Sequence, residues 1–183
     1  MPAQWLLSSS GQSATFAAQF GMGFSFAHFI NPNGDPQMVR AHRQRFKPSA
    51  HLAEPQANFA ITMLCADTNE KAQELQAVMD YLWLSFERGC VDQSRSEQGN
   101  VTHDEIKNYA YSPGEWARVL ANRPRAVSGT PEQVKTRLTQ LAADYAVNEI
   151  IAVTITQDFA DWLHSYELLA ECLSCPEVHQ LRS

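Results

Sequence analysis

Two stretches of this chain, Met22–Ile30 (MGFSFAHFI) and Asn58–Ala66 (NFAITMLCA), are apolar at almost every residue. A strand with one wet face alternates apolar and polar side chains, so a strand apolar on both faces needs cover on both. Parallel sheets flanked by helices provide that cover. The segments around these strands carry the helical period instead. Gly11–Phe20 reads as a helix closed by Gly21 in the left-handed conformation, and Gln37–Phe46 as a basic helix stopping before Pro48. Asp67–Arg88 reads as a long helix capped by Asp67 or Thr68, burying Ala72, Leu75, Val78, Met79, Leu82 and Phe86. With Gln4–Ser8 and Glu149–Thr156 as further strands, a helix opened by Thr130 and Pro131, and a last helix Asp158–Leu173, the order alternates strand and helix. That alternation predicts a parallel α/β fold of four strands with right-handed crossovers. The last helix is expected to bury Phe159, Trp162, Leu163, Tyr166, Leu169 and Leu173.

The pattern fails between Gly89 and Val127, where only Tyr111–Leu120 suggests a short helix. A segment that long exceeds a routine connector. Composition narrows the partners. Acidic residues outnumber basic ones 20 to 14, giving a net charge of −6, so the chain lacks the Lys/Arg excess of nucleic-acid and anionic-membrane binders. No apolar run reaches bilayer length and no signal-type start is present, so a cytoplasmic protein is expected. Cys65, Cys90, Cys172 and Cys175 read as reduced thiols. The Cys172/Cys175 pair, with His179 nearby, has no second pair to complete a zinc site, and no metal is expected. Asp67, Asp158 and Asp161 stand at helix starts, where the helix dipole accounts for them without catalysis.

One turn carries chemistry. In "QWLLSSSGQSATFAAQFG" a strand runs through three serines and a glycine into an alanine-rich helix. Free N–H groups at a helix start favour an anion, hydroxyls at Ser10 and Ser13 can donate to it, and Gly11 lets it approach the backbone. The alternative is a plain serine cap at Ser10. His28, near the C-terminal end of its strand, is a candidate to touch a ring or substrate, or else a core histidine satisfied by hydrogen bonds.

Taken in order, "SSSGQSATFAAQFG", "FAHFINPNG", "FAITMLCADTNEKAQEL", "NRPRAVSGTPEQVKTRLTQLAADYAVNEIIAVTIT" and "SYELLAE" resemble the luciferase-like flavin-dependent monooxygenases across nearly the whole chain. The resemblance implies the C-terminal half of a TIM (β/α)8 barrel, strands five to eight with their helices, as a single domain 1–183. It implies that the chain starts where a family member is already halfway round. It also implies reduced FMN supplied by a separate flavin reductase, with the deazaflavin F420 as second choice, and a small organic substrate. Ser10, Gly11 and Ser13 then match the flavin-phosphate turn, and residues 89–127 match a lid over the flavin. Arg123 and Arg125 become candidates for the flavin phosphate or for holding that lid, against the alternative of a solvated pair. A half barrel leaves Gln4–Ser8 and Glu149–Thr156 as open edges. The expected partner is therefore the missing barrel half or a second copy of the chain. A non-catalytic flavin-binding or interaction subunit, or a truncated product, is the alternative to an enzyme.

Overall fold

The computed structural model describes residues 2–89 and 103–173, so Cys90, Cys175, His179 and the tail after Pro176 lie outside it. The chain divides into two compact units, Met1–Thr62 with Arg137–Val153, and Met63–Thr136 with Thr154–Ser183.

The first unit is built on parallel strands β1 (Trp5–Ser8), β2 (Gly23–Ala27), the leading part of β3 (Ala57–Cys65) and β5 (Ile150–Val153). β1 pairs with β2, β2 with β3, and β3 with β5, all in parallel. The apolar runs thus become the interior strands, every residue of β2 being buried. β2 is shorter than the run Met22–Ile30 because the chain turns after Ala27, where Ile30 N donates to Ala27 O at 3.1 Å. Helix α1 (Gly11–Gln19) packs closely through Ala14, Ala17 and Ala18, each without exposed surface. It ends at Gly21, whose φ of 63° suits glycine and whose position beside Lys47 O leaves no room for a Cβ. Helix α2 (Gln37–Arg45) places buried His42 against Phe24, with the His42 Nε2 donating to Met22 O at 2.9 Å. Phe24, Phe26 and Phe59 have no exposed surface, and burial of each contributes about 2 kcal/mol.

The second unit holds the end of β3, α3 (Asn69–Glu87), α4 (His103–Lys107), α5 (Pro113–Asn122), a 3-10 turn Arg123–Arg125, β4 (Ala126–Gly129), the start of α6 (Pro131–Tyr145), and α7 (Phe159–Leu173). Thr68, rather than Asp67, caps α3, accepting from Lys71 N at 3.2 Å. Leu64, Ala66, Ala72, Leu75 and Met79 form its core, with Leu82 and Trp83 packed alongside, while Phe86 is 60% exposed rather than buried. The described part of the aperiodic stretch 89–127 proves to contain α4 and α5, and a fifth strand, β4, begins at its end. β4 lies at the end of β3, with Ala66 N donating to Gly129 O at 3.1 Å. A capping box between Ser112 and Glu115 opens α5. Side-chain hydroxyls finish β3: Cys65 N donates to Ser165 Oγ at 2.9 Å, and Thr154 Oγ1 donates to Met63 O at 2.9 Å.

α7 corrects the expected buried face. Ser165, Leu168 and Leu169 are its buried residues, whereas Phe159, Leu163 and Leu173 are 71%, 44% and 45% exposed. The helix is turned so that the small Ser165 approaches β3 and hydrogen-bonds to it, which carries the larger side chains away.

On α7, His164 Nε2 lies 2.7 Å from Asp67 Oδ2 and Nδ1 lies 3.4 Å from Glu167, so the imidazole pKa is raised, first by Asp67. A group raised on folding contributes stability below its unfolded pKa of about 6.5, and that contribution is lost as pH climbs through the folded value. Because the side chains are about half exposed, His164→Ala is expected to cost less than about 1 kcal/mol at pH 5.5 and nothing at pH 8.5. Paired urea titrations of variant and parent at the two pH values check this. An equal loss at both would remove the ionic account.

Candidate functional site

The C-terminal ends of β1 and β2 point the same way because the strands are parallel, and the turns that follow them meet. Asn31 Nδ2 donates to Ser9 O at 3.4 Å, tying the turn after β2 to the turn after β1. In the β1–α1 turn, Ser10 is in extended conformation and its Oγ accepts from Ser13 N at 3.2 Å. The Ser10 and Ser13 hydroxyls stand 2.9 Å apart at the helix start. The serine cap is thus formed: the hydroxyls bond each other, and the first-turn N–H groups of Gly11 and Gln12 have no acceptor within the helix. A Cβ on Gly11 would meet only Met38 Cγ at 3.9 Å, so the approach to this backbone is open.

Arg45 adds a positive charge that the sequence does not reveal. From the last turn of α2 its Nη1 donates to Thr15 Oγ1 at 3.1 Å, and Thr15 Oγ1 in turn donates to Gly11 O at 3.1 Å. Hydroxyls, helix N–H groups and a guanidinium are a donor set suited to a phosphate monoester.

His28, the first residue past β2, is buried at 4% exposure between the rings of Phe26, Phe59 and Tyr145. Its Nδ1 lies 3.3 Å from Tyr145 Oη, and that hydroxyl donates to Gly34 O at 3.0 Å. A phenol has one proton, already given to the carbonyl, so His28 Nδ1 is the donor to Tyr145. Burial pushes the Tyr145 phenol up to about 12, which keeps that proton in place. The arrangement matches the core-histidine alternative, and Tyr145 is its partner, unforeseen because it lies 117 residues away.

Arg123 and Arg125 belong to the second unit and both have partners there. Arg123 Nη2 and Nε donate to Asp80 Oδ2 at 2.8 and 3.2 Å, and its guanidinium lies 5.2 Å from the Trp116 ring centre. Arg125 Nε donates to Asn122 Oδ1 at 3.0 Å and stands over Trp83. Both arginines thus hold the turn after α5 onto α3. Burial pushes the Cys65 thiol up to about 11, so it stays protonated at neutral pH. Among the described residues no group of three or more His, Cys, Asp or Glu could hold a metal ion, and no helix is long and apolar enough to cross a membrane.

No family model matches the chain. It is 46% identical to the protein YwcH of Bacillus subtilis over 94% of its own length and 50% of that protein's. It is 32% identical to a luciferase-like monooxygenase of Escherichia coli, over 90% of this chain and 47% of the relative. The crystal structure of apo-MsnO8 superposes with a TM-score of 0.72 at 29% identity, covering 93% of this chain and 51% of that one. The chain spans about half the length of the curated relatives it matches. In sequence, the chain is similar to about half of a luciferase-like monooxygenase.

Proposed function

We propose that this chain supplies the phosphate-binding wall of a flavin-dependent monooxygenase acting on a small organic substrate. The observation that carries the reading is the β1–α1 turn, where the Ser10 and Ser13 hydroxyls and the open backbone of Gly11 gather at a helix start, with Arg45 anchored on Thr15 beside it. FMN fits that donor set through its phosphate. A structure of the same fold, the oxygenating constituent of 3,6-diketocamphane monooxygenase at 17% identity and a TM-score of 0.55, is a complex with FMN, which favours FMN over F420. Reduced FMN, when bound, supplies the electrons for oxygen chemistry, and a separate reductase provides it in that form. The chain's own residues bind and orient. Ser10 and Ser13 donate to phosphate oxygens, and the α1 N–H groups and Arg45 offset its charge. Asn31 holds the two turns together, and His28, through Tyr145 and Gly34, fixes the end of β2 behind them. The rest of the active site comes from a partner that continues the sheet.

Fluorescence titration with FMN and with riboflavin, which lacks the phosphate, tests the reading. Ser10→Ala with Ser13→Ala is expected to weaken FMN binding about 10-fold, equivalent to about 1.4 kcal/mol, and to leave riboflavin binding unchanged. Equal loss for both ligands, or no FMN binding by the parent chain, overturns it. A non-catalytic interaction subunit is the second reading, favoured by the exposure of Trp5 and Leu7 on the outermost strand.

A further inference from the structure

Helix α2 and its exit carry a charge opposite to that of the chain as a whole. Residues 37–53 hold four cations, Arg40, Arg43, Arg45 and Lys47, and no acidic residue, in a chain whose net charge is −6. In the second unit arginines are neutralised in place: Arg88 meets Glu115, Arg118 meets Glu87, and Arg123 meets Asp80. Among the described residues no carboxylate pairs with any of the four cations of residues 37–53. Asp35, at the start of α2, turns one oxygen to its own backbone, accepting from Gln37 N at 2.8 Å.

A basic helix is ordinarily a solvated face, and what distinguishes this one is its position. α1 and α2 pack side by side within the first unit. Met38 Cγ is the atom that a Cβ on Gly11 would meet, Arg45 Nη1 donates to Thr15 Oγ1 at 3.1 Å, and Lys47 N donates to Ala18 O at 2.8 Å. The two helices therefore run parallel and in step, and the first turn of α2 stands beside the β1–α1 turn. Arg40 and Arg43 follow Met38 by about 3 and about 8 Å along the helix axis. Helical side chains lean toward the N-terminus, so both guanidinium groups lean back toward that turn. Charge acts over about 8 Å at physiological ionic strength and about 30 Å at 0.01 M, so both arginines are within range of a ligand there. Arg40 is exposed and Arg43 half-buried, and among the described residues no hydrogen bond ties either one to the turn.

We propose that α2 is an electrostatic guide that draws the phosphate of a phosphorylated flavin to the β1–α1 turn, Arg40 and Arg43 acting at a distance and Arg45 by contact. The inference rests on the reading of that turn as a flavin-phosphate site. It deepens that reading: selection for the phosphorylated flavin begins at arrival, before any hydrogen bond forms. A phosphate monoester carries between about one and a half and two negative charges at neutral pH. A body with a net charge of −6 repels such an anion from most directions, and a local cluster of unpaired cations gives it one attractive approach. A carboxylate beside each arginine would cancel that field, as the ion pairs of the second unit do for theirs. Charges that act without contact change the association rate and its salt dependence, and leave dissociation to the groups that touch the ligand. Arg40 and Arg43 are thus guiding residues, distinct from Ser10, Ser13 and Arg45.

Stopped-flow flavin fluorescence on the full chain, with FMN and with riboflavin at ionic strengths of about 0.01 and about 0.5 M, tests the guide. Arg40→Gln with Arg43→Gln is expected to slow FMN association about 5-fold at the lower ionic strength and less than about 2-fold at the higher. FMN dissociation and both riboflavin rates are expected to stay unchanged. Arg40→Glu with Arg43→Glu is expected to deepen the low-salt effect to about 25-fold, since each site then changes by two charges. Unchanged far-ultraviolet circular dichroism shows that the helix still forms in both variants. FMN association as fast as the parent's at low salt, or a loss carried by faster dissociation at both salt concentrations, overturns the guide and leaves the proposed function standing. A parent chain that binds no FMN overturns the proposed function and the guide together.

Discussion

Replacing Arg123 with alanine is expected to lower the unfolding free energy by about 2–4 kcal/mol, and replacing its partner Asp80 with alanine by only about 1–2. The asymmetry follows from where the two charges sit. The Asp80 side chain is 4% exposed, whereas that of Arg123 is 43% exposed. Without Arg123 the carboxylate stays buried with one amide donor, Gln76 Nε2 at 2.9 Å, and the face of Trp116 loses its cation. Without Asp80 the guanidinium turns to water at little cost. Urea unfolding of the two variants gives the order directly. A larger loss for Asp80→Ala would mean that the turn after α5 is held by ring packing rather than by this ion pair.

The second large effect is expected at Gly34. A Cβ there would run into Phe26 Cζ. A ring tip on the surface would swing aside, but Phe26 has no exposed surface and is stacked on Tyr145 with centroids 5.4 Å apart. Gly34→Ala is therefore expected to cost about 3 kcal/mol. It would also displace the carbonyl that accepts from Tyr145, and with it the support of His28. Gly114→Ala is the control, since nothing lies within 4 Å of a Cβ there and no loss is expected. Thermal melts, with near-ultraviolet circular dichroism as a reporter of aromatic packing, check both. A melt of Gly34→Ala matching the parent would show that the Phe26 stack is looser than its burial implies.

These cases mark how far the sequence carries. β2 and β3 were legible because an apolar run has few other uses, and Gly21 because its backbone angle admits little else. The Ser10 cap was legible because it is local: three residues separate donor and acceptor. β4 was not, since four residues hold too little of a period to register. The buried face of α7 was misread because hydrophobicity alone marks Phe159 and Leu163, while the contact that orients the helix is the hydroxyl of Ser165 on Cys65 N. At the site, Arg45 and Tyr145 escaped for a different reason. Their partners stand 30 and 117 residues away, and only the packed fold brings them together.

The exposed Trp5 and Leu7 of β1 also bear on how the protein behaves as a colloid. Against these apolar side chains, what opposes association is the long-range repulsion of a net charge of −6. That repulsion fades as pH falls toward the isoelectric point near 5.5. Mild acidity is then the condition under which the apolar surface of β1 meets other molecules most easily.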